Sequence, residues 1–270
     1  MTDSSSASSL LAHQLDGGGV EPDRPGVILL NGGMMSHAAW QPIADRLVEH
    51  YAVLRCDFRG QLLSPTTAAQ RLADHAADVE VLLDHVGWEA AHVIGVSFGG
   101  EVAVELMARS PQRVRSLVVV TAMDHEPAEF RRQSDQMREV LHAVADGGPR
   151  DTFYRLLTER VYSAAYRERH ADLLAARREQ IDRLPPAWFT GIAFILDALE
   201  DFDLRDCLSA HVPALAILAA DDQVMAEERA LALAEGLGAE IVVHASAGHG
   251  LVAEDPDFVA EHCVRWLARH

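Results

Sequence analysis

Between the apolar run His92-Val93-Ile94 and the helix-forming run from Glu101 to Arg109 stand five residues, Gly95-Val96-Ser97-Phe98-Gly99, that leave the chain little freedom. A strand has to turn sharply into a helix there, with a serine at the apex. Glycines two positions either side of the serine remove the Cβ atoms that would hold strand and helix apart, so the serine backbone alone takes up the strain. Strand, sharp turn and helix is also the repeating unit of an open parallel sheet.

The rest of the chain repeats that alternation. Short apolar runs near residues 27–30, 52–56, 92–96, 114–121, 214–218 and 240–244 are bounded by turn residues. Longer stretches of helical periodicity lie near 40–49, 68–86, 98–109, 227–237 and 257–268. The pattern predicts an α/β fold, a mostly parallel sheet flanked by crossover helices. Leu10 to Leu15, followed by Asp16-Gly17-Gly18-Gly19, reads as one arm of an edge hairpin. Between about His125 and Ala210 no β-run occurs, and Phe153, Leu156, Leu157, Val161 and Tyr162 recur at helical spacing. This stretch is expected to form a helical cap inserted before the strand near Ala214-Leu218, with Trp188 and Phe194 as candidates for its inner face. The predicted organisation is therefore one core of residues 10–124 and 211–270, a cap of residues 125–210, and a serine-rich, disordered tail of residues 1–9.

Two further residues sit, like Ser97, just after an apolar run. Asp222 ends the run from Ala214 to Ala220, and His249 lies in Ser246-Ala247-Gly248-His249-Gly250, beyond the run from Glu240 to His244. In an open parallel sheet such run ends share one edge, so residues distant in sequence converge there. The chain order serine, aspartate, histidine is the one that accompanies a serine on such an elbow. A serine hydroxyl becomes a useful nucleophile when an imidazole takes its proton and a carboxylate orients that imidazole. Asp221 and Asp124 are the alternatives for the acid, and His244 for the histidine.

These pieces together resemble the α/β-hydrolases, specifically the compact serine esterases, enol-lactonases and cofactor-free haloperoxidases. The matching residues are Leu29-Leu30-Asn31-Gly32-Gly33, Asp57-Phe58-Arg59-Gly60, the serine elbow, Asp222 and Gly248-His249, from about Val27 to about Leu267. The resemblance implies the α/β-hydrolase fold and a catalytic triad of Ser97, Asp222 and His249. It also implies an oxyanion hole from the Phe98 N–H and the Gly33 N–H, with Met34 as the neighbouring alternative for the second donor. Met34 and Met35 would then line the pocket. Asn31 stands where these families usually carry histidine, as in enol-lactonases, and Gln61-Leu62-Leu63-Ser64 replaces the frequent His-Gly-x-Ser. Arg59 and Asp57 are expected to build a turn and an ion pair.

The implied activity is hydrolysis of a small, mainly apolar carboxylic ester or lactone through an acyl-enzyme. Carbon–carbon bond hydrolysis, acyl transfer and perhydrolysis use the same triad, and a non-catalytic ligand-binding protein on this fold is the reading from another class. Composition narrows the partners. A formal net charge of −18 opposes binding to nucleic acid and to anionic membranes. The chain has no lysine, which removes Schiff-base chemistry and P-loop phosphate binding. No HExxH or His-x-x-x-His cluster points to a metal, and no cofactor is expected. The partner expected is a small-molecule substrate, with no preference as to oligomeric state. Three widely spaced cysteines, no basic-apolar leader and no 18-residue apolar run lead to the expectation of a cytoplasmic protein with reduced thiols.

Overall fold

The computed structural model describes residues 10–21, 24–65, 71–209 and 212–270. The expected tail of residues 1–9 and the start of the helix placed near 68 lie outside the described residues. Seven strands among the described residues form one sheet: β1 (His13–Asp16), β2 (Gly26–Leu30), β3 (Ala52–Cys56), β4 (Ala91–Val96), β5 (Val114–Val120), β6 (Ala214–Ala219) and β7 (Glu240–His244), in the order β1-β3-β2-β4-β5-β6-β7. Strands β2 to β7 are parallel, and β1 alone runs antiparallel, against β3. The edge-hairpin expectation is thereby corrected. A strand does form at His13–Asp16, but its four residues pair with β3, across from β2, because the free edge of the sheet lies there.

Every residue of β2, β3 and β4 is buried, as befits parallel strands covered on both faces. Alternate side chains separate into two cores. Ile28, Leu30, Leu54, Val93 and Leu117 pack on the side of α2 (Leu72–His85) and α3 (Phe98–Arg109). Val27, Leu29, Val53, Ile94 and Val118 meet Trp40, Ile43 and Leu47, at or beside α1 (Gln41–Leu47), and Val259, Cys263 and Trp266 from α11 (Pro256–Leu267). The three cysteines are free. From β2 the chain crosses to β3 on one side, and from β4 it crosses to β5 on the other. Chain direction therefore diverges between β2 and β4, which leaves a crevice at their carboxyl ends, where open sheets bind ligands.

Between β5 and β6 the chain forms α4 (Ala128–Ala145), α5 (Asp151–Val161), α6 (Ala164–Arg169), α7 (Ala171–Asp182) and α8 (Pro186–Asp197). The neck of this insertion is stapled: His125 and Asp203 form an antiparallel bridge, and the Leu204 N–H donates to the Asp124 carbonyl at 2.8 Å. Trp188 packs edge-on against Phe153 and Phe189, so it fills the interior of the insertion. Helix α8 crosses the loop after β3 with backbone on backbone. A Cβ on Gly191 would lie 2.1 Å from the Gly60 carbonyl oxygen, and one on Gly60 would lie 2.5 Å from that of Gly191. Beyond β6 come α9 (Glu227–Gly236) and, after β7, the short α10 (Leu251–Glu254) ahead of α11.

Candidate active site

Strand β4 delivers Ser97 into the crevice with φ 52° and ψ −125°, a conformation a non-glycine residue adopts only under constraint. The constraint is visible on every side. The Ser97 N–H donates to the Val120 carbonyl at 2.9 Å, and its own carbonyl accepts from Gly100 and Glu101 as α3 begins. A Cβ on Gly95 would come within 2.2 Å of the Gly99 oxygen, and one on Gly99 within 2.3 Å of the Leu30 oxygen. Only glycine at both positions lets β4, α3 and β2 close around the serine.

Asp222 and His249 meet Ser97 from the loops that follow β6 and β7, two and three strands away in the sheet. His249 Nε2 lies 3.0 Å from Ser97 Oγ, and His249 Nδ1 lies 2.9 Å from Asp222 Oδ2. A carboxylate only accepts, so Nδ1 carries the proton and Nε2 presents its lone pair to the serine hydroxyl. The second Asp222 oxygen accepts the Val224 and Met225 N–H groups at 2.8 and 2.9 Å, which fixes the carboxylate. The alternatives lie elsewhere. Asp221 accepts from the Gln223 side chain, Asp124 is buried beside His125 and Arg229, and the His244 ring accepts from the Ala247 N–H and packs on Phe258.

Burial disfavours the imidazolium, yet the charge of Asp222 and its hydrogen bond outweigh it, with Glu101 adding to the effect when ionised, holding His249 above the usual histidine range. Glu101 itself is fully buried one turn along α3, with Oε1 accepting the Met123 N–H at 3.3 Å and Oε2 without a hydrogen-bond partner. Burial pushes its carboxyl up to about 8, so it is mostly neutral at pH 7 and Asp222 is the group that sustains the His249 shift.

The His249 loop is held from the helical insertion. Glu254 Oε1 accepts the Gly248 N–H at 3.1 Å and the Ser163 N–H at 2.7 Å, and Oε2 accepts the Ser163 hydroxyl at 2.6 Å. The Val161 carbonyl accepts the Gly250 N–H at 2.7 Å. From below, the Thr121 hydroxyl donates to the His249 carbonyl at 3.3 Å, with Thr121 at φ 45°.

Across the crevice, the loop after β2 brings Gly33 beside the elbow: a Cβ there would stand 4.0 Å from Phe98 Cβ and 3.4 Å from Ile195 of α8. Phe98 occupies the first position of α3, where an N–H has no intrahelical acceptor. Met34 packs against the core formed on the α3 side, and Met35 turns back so that its sulfur accepts the Gly32 N–H. A buried polar network supports this loop. Asn31 donates to Asp57 and Gln61 and accepts from the Trp40 indole, while Asp57 also accepts the His37 N–H. Arg59 makes its ion pair with Asp78 of α2, so the expected ion pair exists but does not join Arg59 to Asp57.

Sequence reasoning did not single out Glu101 or Glu254, and it marked Gln61 only as a departure from the family pattern. Of the first two, Glu101 alone carries a local signal, a carboxylate in an otherwise apolar helix face. Among the described residues no group of His, Cys, Asp or Glu has the arrangement of a metal site, and no helix is long and apolar enough to cross a membrane.

Comparison with known proteins agrees with this architecture. Over 269 residues, and 95% of each chain, the sequence is 30% identical to the protein named "Putative carbamate hydrolase RutD" in Caulobacter vibrioides. It is 27% identical to carboxylesterase YbfK of Bacillus subtilis, covering 91% of this chain and 81% of that one. The crystal structure of the enol-lactonase from Burkholderia xenovorans LB400 superposes with a TM-score of 0.80 at 26% identity, covering 96% of both chains. With the model of the alpha/beta hydrolase fold matching residues 25–256, this chain belongs to the alpha/beta hydrolase family.

Proposed function

We propose that the protein is a serine hydrolase that cleaves a small, mainly apolar carboxylic ester or lactone through an acyl-enzyme. The observation that carries this reading is the hydrogen-bonded line Ser97 Oγ, His249 Nε2, His249 Nδ1, Asp222 Oδ2. As Ser97 Oγ attacks the substrate carbonyl, His249 takes its proton and Asp222 balances the imidazolium. The carbonyl oxygen becomes an oxyanion, for which the N–H groups of Phe98 and Gly33 are the donors. His249 then protonates the departing alcohol oxygen, leaving the acyl group on Ser97. Water, deprotonated by His249, attacks that acyl group and releases the acid. Helices α4 to α8 serve as the cap over this edge, and the apolar side chains of Met34, Phe98 and Ile195 favour an apolar acyl group.

A second reading comes from the relatives named for carbamate hydrolysis. A carbamate carbonyl is open to the same attack, but its nitrogen donates electron density and slows release of the acyl group from the serine. Wild-type protein should hydrolyse an activated short-chain ester, lose that turnover with Ser97→Ala, and take up one fluorophosphonate per chain at Ser97. Turnover surviving Ser97→Ala would refute the assignment. A matched carbamate that gives a burst followed by slow turnover would mark it as the poorer substrate, and steady turnover faster than the ester's would favour the second reading.

A further inference from the structure

The loop that carries Gly33 contains a glycine-glycine peptide, which is the least secure way to hold an oxyanion donor. Reversing the Gly32-Gly33 peptide plane requires changes only in ψ of residue 32 and φ of residue 33, and at glycine both are nearly unopposed. A reversed plane would point the Gly33 N–H away from the elbow and present a carbonyl oxygen in its place, so something must hold the plane.

Gln61 is placed to do so. Its side chain is 1% exposed, and its amide nitrogen donates to the Gly32 carbonyl at 2.7 Å and to the Gly33 carbonyl at 3.1 Å. Its amide oxygen accepts from Asn31 Nδ2 at 2.9 Å and from the Phe58 N–H at 2.8 Å. Every donor and acceptor position engaged in these four bonds lies between the loop after β2 and the loop after β3, so the amide cannot rotate without breaking bonds on both sides. In a planar trans peptide the C=O of one residue and the N–H of the next point in opposite directions. Drawing the Gly32 and Gly33 carbonyls toward Gln61 therefore turns the Gly33 and Met34 N–H groups away from it. The Met35 N–H, 3.1 Å from the same Gly32 oxygen, adds a second bond that a reversed plane would lose.

We infer that Gln61 is a positioning residue for the oxyanion hole, acting through the Gly32 and Gly33 carbonyls to hold the second donor toward the serine. This rests on the serine-hydrolase reading above. It also gives a physical role to the position where the chain departs from its family's more frequent histidine: a single amide supplies two donors for the two carbonyls and an acceptor for Asn31.

The test compares an oxo-ester with the matching thionoester, whose sulfur is a poor acceptor and gains little from N–H donors. Gln61→Met removes all four hydrogen bonds at similar volume. Gln61→Glu keeps the acceptor for Asn31 and Phe58 and, measured at a pH where its carboxyl is ionised, sets an oxygen against the two carbonyls. Either variant should lower kcat for the oxo-ester about 100- to 1000-fold, the loss seen when one oxyanion donor is removed. KM and thionoester turnover should each stay within about threefold, so the oxo-to-thiono ratio falls by nearly the whole loss in kcat. The acid limb of the pH profile should not move, since His249 is untouched. Should Gln61→Met fail to fold, Gln61→Glu carries the comparison, with its unfolding midpoint measured alongside. A loss shared equally by both substrates, or an unchanged ratio, would overturn the role of Gln61 while leaving the triad standing. Wild-type turnover independent of Ser97 would overturn both.

Discussion

Replacing Glu101 by glutamine should make the protein progressively more stable than wild type as pH rises. The carboxyl is fully buried, and burial raises it from 4.5 to about 8. Between those values the folded chain keeps a proton that the unfolded chain releases, so stability drains away as pH increases. The contribution is fully present below the unfolded value and is lost as pH rises through the folded one. At 1.36 kcal/mol per pH unit, the penalty is about 2 kcal/mol at pH 6 and approaches about 5 kcal/mol above pH 8. Glutamine keeps the acceptor for the Met123 N–H but has no proton to lose, and its unpartnered amide adds a constant cost of about 1–3 kcal/mol. That cost cancels when the difference between variant and wild type is compared across pH. Urea unfolding followed by tryptophan fluorescence at about pH 4.5, 6 and 8 measures that difference, and all other titrating groups are common to both proteins. A difference constant to within about 1 kcal/mol over the range would show that Glu101 finds a partner or solvent in solution, and would refute the reasoning.

Two further outcomes concern the residues around His249. Asp222→Asn should lower turnover by about 10⁴-fold and shift the acid limb of kcat/KM to lower pH, because the raised imidazole loses its main support; Asp124→Asn should leave that limb in place. Equal effects of the two variants on the pH profile would transfer the role of acid away from Asp222. Glu254→Gln puts an amide among three donors and should cut kcat about 10- to 100-fold by loosening the His249 loop, whereas Ser163→Ala, which removes only the hydroxyl bond, should cost far less. An unchanged kcat in the Glu254 variant would mean that the loop holds itself.

Much of this arrangement was legible before any coordinates because its signals are local. The elbow is written in five consecutive residues, and the buried strands appear as uninterrupted apolar runs. The order of the sheet was not, since nothing in His13–Asp16 says that β3 and not β2 is its neighbour. Placing Asp222 beside His249, and Asp221 away from it, takes the backbone path of one turn, which two adjacent aspartates do not disclose. The contacts of Gln61, visible in the sequence only as a departure from the family pattern, and those of Glu254 could not be read because each works across a gap in sequence: Gln61 on carbonyls 28 and 29 positions earlier, Glu254 on Ser163, 91 positions earlier. A hydrogen bond to backbone leaves no trace in the residue that receives it. The helix near Asp257 was readable from its apolar period, while the four-residue α10 before it is too short to show one.

The bare-backbone crossing of Gly60 and Gly191 bears on how this molecule can be altered. Where α8 meets the loop after β3, the spacing is set by main-chain atoms in van der Waals contact, so no choice of side chain can narrow it and any Cβ forces it wider. Evolution and engineering alike therefore inherit a fixed spacing between α8 and the loop after β3 at that point, and variation in the shape of the insertion has to be sought farther along it. Exchange of the whole helical segment with that of a relative should succeed only when the donor and recipient both carry glycine at the crossing, which makes these two positions the natural criterion for choosing chimera partners.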